Sequence, residues 1–232
     1  MKRILTAILI GITAISLCAC GQKTPEQTYE SLLKEIKKDI DAYTSDSSSI
    51  DGLPDLLQYA IANLDGDTVI SKLVYAIADI NEDDTPELLI AYDFSSTTDL
   101  VGVYGIENGE TKIIINPAYD SYYTLLKSGK VLNEGTYVES YYYKALYHFE
   151  GNELVPNEYA YTTSYDPETG VRDDSTGYTI IGTDLDQIQD VVLGRSQDTT
   201  GLQVSDGTTD FWNYAADEEA LTIDYIAFSE VK

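Results

Sequence analysis

Residues 79–88 read Asp-Ile-Asn-Glu-Asp-Asp-Thr-Pro-Glu-Leu, with oxygen-bearing side chains at alternating positions. Asp79, Asn81 and Asp83 stand at positions 1, 3 and 5 of the segment, and Glu87 stands at position 9. Alternate residues of a tight loop turn inward, so these oxygens can converge on one cation. Calcium takes roughly six to eight oxygen ligands at ~2.3–2.6 Å in a flexible loop. Asp79, Asn81 and Asp83 would supply side-chain oxygens and Thr85 a backbone carbonyl. Glu87 would ligate directly or through water. The plainer alternative is an acidic strand connection without metal, since acids abound in the chain. The expectation is a structural calcium loop, because a cation relieves repulsion among carboxylates gathered in one turn.

Other chemistry is sparse. His148 is the single histidine and reads as an ordinary strand residue. There is no Gly-x-Ser-x-Gly elbow, no phosphate-binding glycine loop, and too few His and Cys for a zinc site. An Asp/Glu pair for glycoside hydrolysis is the alternative function, because such pairs are set by separation in space. Asp166 to Gly170, with Asp173 and Asp174, reads as a solvated loop rather than a second cation site.

The aromatic content is skewed to 20 Tyr, against 4 Phe and 1 Trp, and eleven of the Tyr fall between Tyr119 and Tyr165. Tyr suits strands and surfaces that are apolar on one side and wet on the other. Tyr137, Tyr141 and Tyr143 alternate on one face of a predicted strand. They read as sheet packing or as a platform for a sugar ring or a partner peptide. Trp212 is a lone candidate of the same kind, read first as core.

The chain has 232 residues, with 14 Lys+Arg against 40 Asp+Glu, a formal charge of −26. That excess of acid excludes nucleic acid as a partner, because phosphate binding needs a basic surface. Apolar residues make up 43 %, enough for a sizeable core. Both Cys lie in the first twenty residues, so no disulfide staples the body.

Helical signals come first. Thr24, Pro25 and Gln27 form a capping box with Pro at the first helical position. Tyr29, Leu32, Leu33, Ile36 and Ile40 follow on one face. Lys34, Lys37 and Lys38 lie opposite, as a solvated face or a contact with anionic headgroups. A polar linker at 44–49 and a second helix at 53–63 precede a turn at 63–67. From Val69 the pattern becomes strands, at 72–80, 87–93, 100–106, 111–115, 122–127, 131–134, 137–150 and 154–162. Turns at 107–110, 127–130 and 150–153 join antiparallel neighbours. A late helix at 185–193 starts from Thr183 or Asp184 and stops at Gly194, and a last strand runs near 221–228. The fold class expected is α+β: N-terminal helices, then a mostly antiparallel β-meander sheet with one late helix.

The N-terminus carries an address. Lys2 and Arg3 precede an apolar stretch at 4–17, too short to span a membrane, which needs ~20 residues. Leu17-Cys18-Ala19-Cys20 resembles the bacterial lipobox. The resemblance implies cleavage before Cys20 and diacylation of its sulfur, which suffices for stable anchoring. The organisation expected is a signal peptide at 1–19, a lipid-anchored tether and amphipathic helix at 20–45, and an extracytoplasmic domain at 46–232. Without residues 1–19, 12 basic and 40 acidic residues remain, a charge of −28. The partners expected are the membrane, through the Cys20 lipid, and a glycan or protein ligand.

Residues 79–88 also resemble the D-x-[DN]-x-D-G-x-x-[DE] calcium loop of EF-hands, dockerins and FG-GAP/VCBS propeller blades. The strand setting and the Pro-Glu-Leu that follows are most similar to the "DINGDGxPEL" segment of secreted lipoproteins of Gram-positive bacteria. The Tyr-rich hairpins after it look like those of the same proteins. The resemblance implies a lipid-anchored surface protein with a binding or structural role. Asp84 stands where the family has Gly, at a position that takes a left-handed conformation. Ile90 stands where an EF-hand has its bidentate Glu, which argues against that fold. A whole propeller needs at least four blades, more than the chain after Val69 provides.

Overall fold

The computed structural model describes residues 23–43, 50–64, 66–93, 98–137 and 141–232. The signal peptide, Cys20 and the linker at 44–49 lie outside the described residues.

The first helix, α1 (Pro25–Ala42), begins as its sequence dictates. The Gln27 amide donates to Thr24 Oγ1 and the Thr24 amide donates back to Gln27 Oε1. Its buried stripe is Tyr29, Leu33, Ile36 and Ile40. α2 (Asp55–Asn63) buries Leu57, Ala60 and Ile61. A third helix, α3 (Gly66–Lys72), stands where the sequence suggested a turn and the start of a strand. Val69 and Ile70 are β-branched and read as strand. Tertiary packing decides otherwise: Val69 is fully buried in the cluster that α1 and α2 build, and Ile70 packs against it.

The strands make two antiparallel sheets, where the sequence reading expected one. The first takes β1 (Leu73–Ala78), β2 (Glu87–Asp93), β3 (Thr98–Glu107), β4 (Glu110–Ile115) and the short β11 (Ile226–Ala227), in the order β11-β1-β2-β3-β4. The second takes β5 (Ser121–Leu125), β6 (Lys130–Tyr137), β7 (Tyr141–Glu150), β8 (Glu153–Thr163), β9 (Tyr178–Gly182) and β10 (Gln203–Asp206), in the order β10-β9-β8-β7-β6-β5. Hairpin turns behave as expected from their residues. In the β3–β4 turn, Asn108 and Gly109 both have positive φ, 55° and 84°, the backbone of a tight turn that matches strand twist.

The first sheet is covered on both faces, which is why β2 is buried along all but its last residue. Leu88, Ile90 and Tyr92 pack with the helices, while Leu89 and Ala91 pack with Leu125 and Val131 of the second sheet. The second sheet in turn carries α4 (Leu185–Val192), whose Ile188, Val191 and Val192 join Ala145, Tyr159, Tyr161 and Ile180. Asp184 caps α4 by accepting the Gln187 amide, and Gly194 ends it with φ at 65°. A further helix, α5 (Thr209–Asn213), was not expected, so the late helix is not single.

The last expected strand shrinks to two residues. Leu221, Ile223 and Tyr225 pack into the inter-sheet cluster, and only Ile226 and Ala227 pair with β1. The reason is the path. The Leu221 amide donates to Leu125 O of the second sheet, and five residues later the chain is on the edge of the first. This segment ties the two sheets together, so it cannot run along either one. The architecture is mixed α+β with helices and two antiparallel sheets. Among the described residues, no helix is long and apolar enough to cross a membrane.

Candidate functional site

The acidic loop joins β1 to β2, which pair in register from Leu73 with Tyr92 to Ala78 with Glu87. The two strands fix the loop ends, and the side chains fold the eight residues between. The Asp83 amide donates to both Asp79 Oδ1 at 3.2 Å and Asn81 Oδ1 at 3.1 Å. The Asp84 amide donates to Asp79 Oδ2 at 3.0 Å, and the Thr85 amide to Asp83 Oδ1 at 2.8 Å. These are turns closed by carboxylate and amide side chains. They require left-handed backbone at Glu82 and Asp84, with φ of 61° and 66°. The tight turn at Asp84 is therefore made with Asp in place of Gly.

Glu87 closes the loop from the other side. It is 1 % exposed, and its Oε2 accepts the Ile80 amide at 3.0 Å. Burial pushes its carboxyl up to about 7; the Ile80 amide opposes that shift, and the charges of Asp83 and Asp79 add to it. An uncompensated carboxylate in this place is costly.

Two neighbours of the loop have no counterpart in the sequence motif. Tyr29 of α1 is fully buried and its hydroxyl donates to Pro86 O at 2.9 Å and Tyr104 O at 3.2 Å. Burial, with Glu87 and Asp83 close by, pushes its phenol well above the ordinary range. Asn81 Nδ2 donates to Asp83 Oδ2 and to Gly151 O, both at 3.2 Å. Gly151 lies in the β7–β8 turn, so the loop touches the second sheet. Nothing in the sequence links Tyr29 or Gly151 to the motif, because neither carries a spacing signal.

The donor set suits a hard cation, being oxygen throughout. Asp79 and Asn81 already direct one oxygen each at a single point, the Asp83 amide. Each carboxylate oxygen has a second lone pair, so the amide bonds do not exhaust its capacity. Among the described residues, no three His, Cys, Asp or Glu side chains form a ready-made metal cage. Ligation here would therefore draw on Asn81 and on the Thr85 carbonyl as well as on Asp79, Asp83 and Glu87.

The tyrosine platform is not laid out as an exposed patch. Tyr137 meets Tyr161 edge-on at 5.3 Å, and Tyr143 stacks on Tyr161 at 5.8 Å. The Tyr143 ring also lies across Gly135, where a Cβ would sit 2.7 Å from it, and the Tyr143 hydroxyl donates to Ser121 Oγ at 3.0 Å. Tyr141 packs toward the same cluster and lines one end of a cleft. This face of the sheet is covered because α4 packs onto it. Among the described residues, the exposed aromatic side chains lie elsewhere, at Tyr59, Tyr119 and Tyr122, and at Tyr142 and Trp212.

The remaining sequence candidates are solvated. His148 lies between Asn157 Oδ1 at 3.0 Å and Glu150 Oε1 at 3.1 Å on an exposed strand surface. Asp166 Oδ1 accepts the amides of Glu168 and Thr169, and Asp173 accepts the Ser175 amide and the Ser175 and Thr176 hydroxyls. No protein-family model, curated protein or solved structure matches this chain.

Proposed function

We propose that this chain is a lipid-anchored extracytoplasmic protein with a non-catalytic binding or structural role, and that its loop from Asp79 to Glu87 holds a structural calcium ion. The observation that carries the metal reading is the convergence of Asp79 Oδ1 and Asn81 Oδ1 on the Asp83 amide, beside the buried Glu87 carboxyl. A bound cation would satisfy oxygens that now repel one another and would lock the β1–β2 connection. Thermal melts of the full chain with calcium and with chelator test this. Calcium raises the wild-type midpoint and leaves Asp79→Ala unmoved; an equal midpoint in both conditions for wild type sinks the reading.

The anchor is supported by the Leu17-Cys18-Ala19-Cys20 motif and by the apolar stretch before it. The body beyond it carries most of the acid, which favours solubility outside the cell. Labelling of growing bacteria with a clickable fatty acid tests the anchor. The wild-type chain takes up label in the membrane fraction, and Cys20→Ser does not.

A further inference from the structure

The outer face of the second sheet holds the only tryptophan of the chain. In α5, Phe211 is 1 % exposed and its neighbour Trp212 is 56 % exposed. The two rings meet at 83° with centroids 5.0 Å apart, and Lys144 Nζ sits 5.4 Å from the Phe211 ring centre. Phe211 thus fastens the short helix to the sheet, and Trp212 is held outward. The chain leaves α5 through Ala215 in a left-handed conformation, φ 57°, which an alanine seldom adopts.

Tyr142 faces Trp212 from β7. Side chains alternate along a strand, so Tyr142 and Lys144 point away from the face where Tyr143 and Ala145 meet α4. Tyr142 is 46 % exposed, with its ring 5.7 Å from that of Trp212 and tilted by 52°. The pair forms a bent apolar wall. Beside the pair, the cleft is lined by Tyr141, by the hydroxyl-bearing Thr162, Ser164 and Thr208, and by the ion pair of Arg172 Nε with Asp174 Oδ1 at 2.6 Å. Thr162 Oγ1 accepts the Tyr142 amide at 2.9 Å. The cleft measures about 490 Å³, inside the ~300–1,000 Å³ of ligand sites.

We infer that this cleft binds a neutral saccharide, with Trp212 and Tyr142 as the stacking wall and Arg172 with Asp174 as the hydroxyl-binding pair. A pyranose offers what the two walls ask for: a flat C–H face and a rim of hydroxyls that both donate and accept. A planar guanidinium and a carboxylate bind vicinal hydroxyls by charge-assisted hydrogen bonds. The chain's charge of −26 repels an anionic glycan, and the paired Arg172 and Asp174 leave the cleft lining without a net charge to hold an ionic ligand. A purely apolar peptide would cover the hydroxyls of the cleft without giving them hydrogen-bond partners. The inference deepens the binding role proposed above and rests on it.

The single Trp makes the site its own reporter. The full chain, in a sugar-free detergent, is titrated with maltotetraose, cellotetraose and the tetramer of N-acetylglucosamine while tryptophan emission is followed. At least one gives a saturable change, and calorimetry returns the same affinity. Tyr142→Ala weakens that affinity tenfold or more, Trp212→Ala does so by calorimetry, and Tyr122→Ala leaves it unchanged. No saturable response up to 10 mM of any of the three overturns the inference, as does unchanged affinity in Trp212→Ala and Tyr142→Ala. A concentration-dependent dimer that Trp212→Ala abolishes also overturns it, and assigns the face to a second copy. The calcium shift in melting is read on the same samples. Lost saccharide binding with an intact calcium shift condemns the cleft alone, and the reverse condemns the calcium loop alone.

Discussion

The Glu87 carboxylate accepts the Ile80 amide at 3.0 Å, closing the acidic loop across its own base while it lies 1 % exposed. A charged group has been buried with the Ile80 amide as a partner and with two carboxylates, Asp83 and Asp79, acting against it. Such a place favours either a proton or a cation.

That relationship sets a pH dependence. The folded carboxyl is raised to about 7 from 4.5. A raised acid contributes stability that is complete below the unfolded value and is lost as pH rises through the folded one. In chelator, the protein therefore loses stability between about pH 4.5 and pH 7, by at most ~3 kcal/mol. Glu87→Gln flattens this slope. Saturating calcium removes it, since a bound cation favours the charged carboxylate. Urea melts at pH 4.5, 6 and 7.5, in chelator and in calcium, measure it.

Tyr29 pins the loop from α1. Tyr29→Phe keeps the ring and deletes the donor shared by Pro86 O and Tyr104 O. The loss is about 1–2 kcal/mol, or roughly 2–8 °C in melting midpoint for a chain of this size. Because Pro86 belongs to the loop, calcium affinity also falls. Tyr29→Phe that melts as wild type and binds calcium equally well contradicts this role.

Asp84 occupies left-handed backbone at φ 66°. A side chain costs roughly 1–2 kcal/mol there, whereas Gly does not. Asp84→Gly raises the stability by up to about 1 kcal/mol, the gain being reduced by the greater freedom of Gly in the unfolded chain. Asp84→Val lowers it, because a β-branched residue resists this conformation most. Chemical melts of both variants give the two signs directly.

Gly135 is an accommodation for Tyr143. A Cβ there would lie 2.4 Å from Asp120 O and 2.7 Å from the Tyr143 ring. Gly135→Ala costs about 1–3 kcal/mol and displaces Tyr143 from Ser121. Gly135→Ala with Tyr143→Ala recovers part of the loss, which a double-mutant cycle reads as coupling.

Local chemistry made much of this protein legible from residues alone. The capping box of Thr24 and Gln27, the stripe from Tyr29 to Ile40, the Asn108-Gly109 turn and the Asp184 cap each depend on neighbours a few positions apart. The acidic loop belongs with them, since Asp79, Asn81 and Asp83 bond to amides within five residues. Its left-handed Asp84 follows from the motif position.

Long-range packing decided the rest. Val69 and Ile70 have strand preferences, yet α3 forms because Val69 completes the core under α1. Tyr137, Tyr141, Tyr142 and Tyr143 are the same residue type at neighbouring positions, and sequence alternation separates them into faces without saying which is covered. α4 covers one face through contacts with β8 and β9, distant in sequence. The exposed aromatic surface consequently falls to Tyr142 and to Trp212, brought together across 70 residues by the anchoring of Phe211. Hydrogen bonds within a turn are written into adjacent residues. Which side of a sheet meets solvent is written only into the arrangement of all the layers at once.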